Sequence, residues 1–211
     1  MRACIVGVTL LLCSCTFLPG AAVHSTAPST TAKVVVLQPQ DIPSLQKCPQ
    51  SDRWANLMLQ GQPEMLPTGF ASWSDLQAAG ATEGWLSLYA DKLPECPLLL
   101  GSAPPQGRLV YAAVIKFKDS SSAAASFWTG SRQFPVAPDF SARFMAAGGM
   151  ETIGASTGFG DNSAVATISF RGVPTYVAYW QKKNFDAVIY ADNLPAGDAV
   201  SAVRHMSERI H

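Results

Sequence analysis

Apolar and polar positions alternate most cleanly in RLVYAAVIKFK (108–118), where Leu109, Tyr111, Ala113, Ile115 and Phe117 share one side and Lys116 and Lys118 close the other. A period of two marks a strand, and the first face is expected to meet the core. The same period runs through Trp85, Ser87 and Tyr89 on one side and Leu86 and Leu88 on the other. In the last third, SAVATISF, TYVAYWQ and FDAVIYA are β-rich runs joined at Arg171-Gly172 and Lys183-Asn184. Connections this short predict an antiparallel meander. Val34 to Leu37, β-branched and closed by Pro39, reads as an opening or edge strand.

Helical spacing fills the gaps. Ser51 or Asp52 is placed to cap a helix with Trp54, Leu57 and Met58 on one face and Gly61 as its stop, and SWSDLQAA (72–79) ends at Gly80. Asp119 or Ser120 caps a third, with Ala123, Ala124, Phe127, Trp128 and Ser131 in phase. After Pro195, Val200, Val203, Met206 and Ile210 form a stripe that should pack back on the sheet. The proline-rich 91–107 reads as a loop. So does most of 134–160, with at most a short helix from Ser141 to Ala147 and a pliable lip at Met145 and Met150. The tryptophans are expected in the core. Together these elements predict an α+β fold: an antiparallel sheet with helices packed mainly on one face, and a C-terminal three-strand meander followed by a terminal helix.

The amino terminus changes the picture of where this fold works. Met1 and Arg2 precede an apolar run from Ala3 to Leu12, at about ten residues too short for a bilayer span and suited to a secretory signal. Leu12-Cys13-Ser14-Cys15 resembles a bacterial lipobox, which implies acylation of Cys15; Gly20-Ala21-Ala22 offers an ordinary signal-peptidase site instead. The expected organisation is a signal peptide over 1–14, a lipid-anchored stalk over 15–33, proline-punctuated and aperiodic, and one domain over 34–211. Cys4 and Cys13 leave with the signal and Cys15 carries lipid, so Cys48 and Cys96 remain as a pair and predict a disulfide. Metal ligation by these two thiols fails for want of a nearby histidine. Lys plus Arg number 15 and Asp plus Glu 15, without runs. Such a balance gives no footprint for nucleic acid. The partners expected are the membrane, through the lipid, and an envelope protein or a small apolar ligand.

QKKNFDAVIYADNLPAGDAVSAVRHMSERI (181–210) is similar to the final strand and helix of extracellular sensor domains on mycobacterial PknH-type kinases and related envelope lipoproteins, and VIKFKDSSSAAASFW (114–128) to their strand and alanine-rich helix. The resemblance covers about the C-terminal half. It implies an α+β domain outside the membrane that binds something. The cysteine such domains carry after the tryptophan of the long helix is absent, since Thr129-Gly130 follow Trp128.

One motif suggests chemistry. GASTG (154–158) fits the G-x-S-x-G of a serine hydrolase's nucleophile elbow, with Ser156 as nucleophile and His205 downstream as base. The elbow needs a strand before the serine and a helix directly after it, whereas FGDNSAVATISF runs into a strand. On a helix with 100° per residue His205 also turns away from Val200 and Val203, toward water. Asp161 suits a turn better than calcium, and Tyr176, Trp180 and Tyr190 suit the faces of a sheet better than a cleft. The preferred reading is a non-catalytic extracytoplasmic binding or sensor-like lipoprotein without cofactor or metal. A serine hydrolase using Ser156 and His205, and a carrier of an apolar ligand, are the alternatives.

Overall fold

The alternation at 108–118 becomes strand β3 (Leu109–Phe117), and the structure, a computed structural model describing residues 30–53, 73–100, 106–128, 145–170 and 172–211, builds a sheet around it. Seven strands make up that sheet among the described residues: β1 (Gln46–Lys47), β2 (Ala81–Ala90), β3, β4 (Met150–Ile153), β5 (Ser163–Phe170), β6 (Val173–Lys182) and β7 (Phe185–Asp192). Their order is β1-β2-β3-β7-β6-β5-β4, every pair antiparallel. After β3 the chain leaves for the far edge at β4. It then winds back through the expected meander until β7 pairs with β3, Tyr111 opposite Tyr190.

That topology makes β3 and β7 central strands with apolar residues at both parities, although one parity of β7 also carries Asp186 and Asp192. On one face Val110, Ala112 and Val114 join Ala187, Ile189 and Trp180 under α1 (Ala32–Val35) and α4 (Ala196–Glu208), which contribute Val35, Val203 and Met206. On the other, Leu109, Ala113 and Ile115 join Leu86, Leu88 and Val188 under α2 (Trp73–Ala78) and α3 (Ser120–Trp128), which contribute Leu76 and Phe127. The α+β class and the antiparallel sheet are as expected. The helices, however, divide between the two faces rather than gathering mainly on one, because strands apolar on both sides need cover on both.

Three segments differ from their sequence reading. Val34 to Leu37 is no strand: α1 begins at Ala32, with the Thr31 side chain accepting from Val34 N. Ala32 and Lys33, assigned to the stalk by composition, lie within it. The Ala32 N–H is taken by Glu83 Oε2 at 3.0 Å, and Val35, Val36 and Leu37 are buried, so docking on the sheet overrides the β-branched preference. Cys96 lies not in a loop but in a 3-10 helix (Leu93–Leu100), whose backbone suits the fixed φ of Pro94 and Pro97. Met150 to Ile153, read as loop, is the edge strand β4, registered on β5. The helix expected at 54–61 lies outside the described residues. Of the short helix expected from Ser141 to Ala147, only Met145 to Ala147 are described, and Met145 and Ala146 are helical.

Elsewhere local chemistry decides the ends. Asp119 Oδ1 accepts from Ser122 N at 2.7 Å and starts α3, and Gly80, at φ +97°, stops α2. Cys48 and Cys96 are joined in a disulfide with Cα atoms 5.7 Å apart, spanning 48 residues. The Cys48 N–H also donates to Leu88 O, so the bridge ties the 3-10 helix to β2.

Candidate functional site

GASTG is a turn, not an elbow. Gly154 to Thr157 form one turn of 3-10 helix between β4 and β5, and Gly158 at φ +81° reverses the chain. Ser156 is exposed, and its Oγ donates to Ile153 O at 3.4 Å. No helix follows it to aim an N–H at a substrate. The serine that organises this turn is Ser163, fully buried at the start of β5. Its Oγ reaches Gly154 O at 3.0 Å, Gly160 O at 2.5 Å and Thr157 Oγ1 at 2.6 Å, fastening both ends of the motif.

His205 does not stand free in water as the helical wheel suggests. A 3-10 helix (Pro39–Asp41) comes alongside α4, and His205 Nδ1 lies 3.5 Å from Asp41 Oδ1, half exposed at the rim of a charge cluster. Asp41 is buried. Arg209 Nη1 and Nη2 donate to its two oxygens at 2.9 and 2.7 Å, and the Gln38 N–H adds a third bond at 2.8 Å. Ser156 and His205 are thus engaged by different partners, Ile153 and Asp41. Cys15 lies outside the described residues.

Polar side chains do converge elsewhere, on the sheet face under α3. Tyr111 and Tyr190, directly opposite in register, stack with ring centroids 5.4 Å apart and planes 13° from parallel. One register step along, Thr175 Oγ1 donates to Asp192 Oδ1 at 2.5 Å. Burial pushes the Tyr190 phenol up to about 12 and holds the Asp192 carboxyl above its ordinary range, against the lowering effect of its bond from Thr175. Burial raises Tyr111 and Tyr179 on the same face as well. The band thus sets three phenols beside one carboxyl whose proton affinity burial raises. Only the register of β3, β7 and β6 assembles it, so its members, scattered over 111 to 192, carried no sequence signal. The three aromatics considered for a cleft separate: Tyr176 and Trp180 face α4, while Tyr190 faces α3, because strand alternation sends them to opposite sides.

Further along β7, Asp186 is completely buried, and neither carboxylate oxygen makes a hydrogen bond of normal geometry. Burial raises its pKa, and the nearby Ser126 hydroxyl of α3 acts in the opposite direction. Among the described residues no three His, Cys, Asp or Glu side chains gather as a metal site, and no helix is long and apolar enough to cross a membrane.

No family model and no curated protein matches the chain. Among solved structures it is similar to the extracellular domain of PknH from Mycobacterium tuberculosis, with a TM-score of 0.40 and 10% identity over 85% of this chain and 94% of that one.

Proposed function

We propose that this chain is a non-catalytic binding domain of the cell envelope, held outside the cytoplasmic membrane by lipid on Cys15. The observation that carries the placement is the Cys48–Cys96 bond, since a disulfide inside the fold belongs to an oxidising compartment. The apolar run from Ala3 to Leu12 and the Leu12-to-Cys15 junction support the same address. A lipid anchor holds a domain of balanced charge at the membrane without a basic patch, each buried methylene contributing about 0.8 kcal/mol. The non-catalytic reading is supported by an exposed Ser156 whose hydroxyl donates to Ile153 O in a turn that runs on into a strand rather than a helix. The ligand is an envelope protein or a small apolar molecule. Met145, Met150 and Ile153, all exposed around the β4 edge, support a contact there.

Detergent phase separation of the full-length protein made in its envelope tests the anchor. Wild type enters the detergent phase and Cys15→Ser the aqueous phase; a wild type already aqueous overturns it. A fluorophosphonate probe tests the rest, because labelling abolished by Ser156→Ala would establish a hydrolase instead.

A further inference from the structure

We infer that the seam between α3 and β7 is a proton-controlled latch, closed while Asp186 is neutral and loosened when it ionises. The geometry at Asp186 leaves a carboxylate there without compensation. The residue is 0% exposed, sits opposite Ile115 of β3 and Gln181 of β6, and neither of its oxygens is satisfied. Across the seam, Ser126 of α3 is 3% exposed and equally unsatisfied as a hydroxyl. A neutral carboxyl supplies an O–H that can turn toward Ser126, whereas a buried carboxylate with one hydroxyl and no cation is strongly disfavoured.

No charge on the surrounding elements relieves it. Helix α3, SSSAAASFW, has no ionisable side chain, and Asp119 before it accepts from Ser122 N. On β3, Lys116 points to the opposite face, over the Phe185 ring at 5.6 Å and bonded to Thr30 O. Lys118, beyond β3, comes close to Gly80 and Ser122 at the start of α3. On β6, Lys182 also points away and bonds Ser207 O, and Tyr179 on the near face is itself held neutral by burial. On β7, Tyr190 and Asp192 are the next titratable groups of that face, four and six residues on. The raised pKa of Asp186 has burial as its main cause and no cationic contribution.

Raising the pH through that value must place a charge in the seam or open it. α3 is the element that can give way, because the other neighbours of Asp186 belong to the hydrogen-bonded ladder. The experiment follows the Asp186 carboxyl carbon by NMR in the wild-type protein while measuring amide protection factors in α3. The expected result is a carboxyl that titrates above the ordinary carboxylate range. Protection across α3 should fall about tenfold for each unit of that elevation, and Asp186→Asn should remove the fall. A carboxyl titrating in the ordinary range, or α3 protection that follows pH identically in wild type and Asp186→Asn, overturns the latch. Should the variant fail to fold, the wild-type titration and its α3 protection decide alone.

Discussion

Arg209, one residue past α4, grips Asp41 with both terminal nitrogens, at 2.9 and 2.7 Å, and its Nη2 also reaches Val35 O and Val36 O at 3.1 and 3.3 Å. The last turn of the fold thereby holds its first helix. Because Asp41 is buried, removing Arg209 leaves a carboxylate with one N–H bond and a half-exposed imidazole. Arg209→Ala should lower stability by about 2–3 kcal/mol, less than for a fully enclosed pair because Arg209 touches solvent. Hydrogen exchange should show residues 32 to 41 losing protection before the strands. Equal loss in α1 and in β3 would mean that the pair does not act as a local clasp.

The Cys48–Cys96 bridge should behave as one unit. Closing a loop of 48 residues stabilises by roughly 4 kcal/mol on the chain-entropy account. Each Cys→Ala change should remove a similar share, and the double change should cost little more than either. Denaturant melts of the four proteins check this. On reduction the 3-10 helix carrying Cys96 should loosen before the β5-β6-β7 meander, which holds no cysteine. Free thiols on the unreduced mature protein would refute the bridge.

The core strands were legible because their burial is periodic: Leu109, Tyr111, Ala113, Ile115 and Phe117 announce β3 by alternation alone. Strand β4 was not, because Met150 and Ile153 are exposed and its identity lies in backbone bonds to β5, which side-chain pattern does not encode. Val34 to Leu37 misleads for a related reason. A buried short helix and a buried strand have the same hydrophobicity, and the deciding contacts come from Glu83 and Arg209, far along the chain. The polar band under α3 depends on register that no single segment encodes, and the glycine spacing of GASTG serves a 3-10 turn as readily as an elbow.

Asp91 and Arg108 close the ends of β2 and β3 from the flanking loop positions. Arg108 gives its backbone N–H to Asp91 Oδ2 at 2.7 Å, and its Nε and Nη2 to Oδ1 at 2.9 and 2.5 Å. Hydrogen bonding from the Arg108 side chain, ahead of all other causes, holds the Asp91 carboxyl below its ordinary range. A depressed folded pKa contributes stability that is present above the unfolded value and is lost as pH falls through the folded one. Both side chains are partly solvated, so Asp91→Asn should cost only about 1 kcal/mol at neutral pH. The variant and wild type should converge in strong acid, where Asp91 is protonated in both states. A constant difference down the whole pH range would assign the effect to packing instead.

The two serines of the β4–β5 turn should separate cleanly. Ser156 is exposed and makes one long bond to Ile153 O, so Ser156→Ala should change stability by less than about 0.5 kcal/mol. Ser163 is enclosed, and its single O–H is shared between the carbonyls of Gly154 and Gly160, while its oxygen lies in hydrogen-bond contact with Thr157 Oγ1, itself the acceptor for Phe159 N. Ser163→Ala removes the shared donor and leaves the carbonyl ends of the turn to find water or shift, a loss of about 1–3 kcal/mol. The displacement should reach Phe159, whose ring lies 6.1 Å from that of Trp180, directly across from Ser163 in the register of β5 and β6. Tryptophan fluorescence together with a thermal melt reads both effects: Ser163→Ala should shift emission and melting temperature, while Ser156→Ala shifts neither. The reverse ranking would mean that Ser156, rather than Ser163, organises the β4–β5 turn.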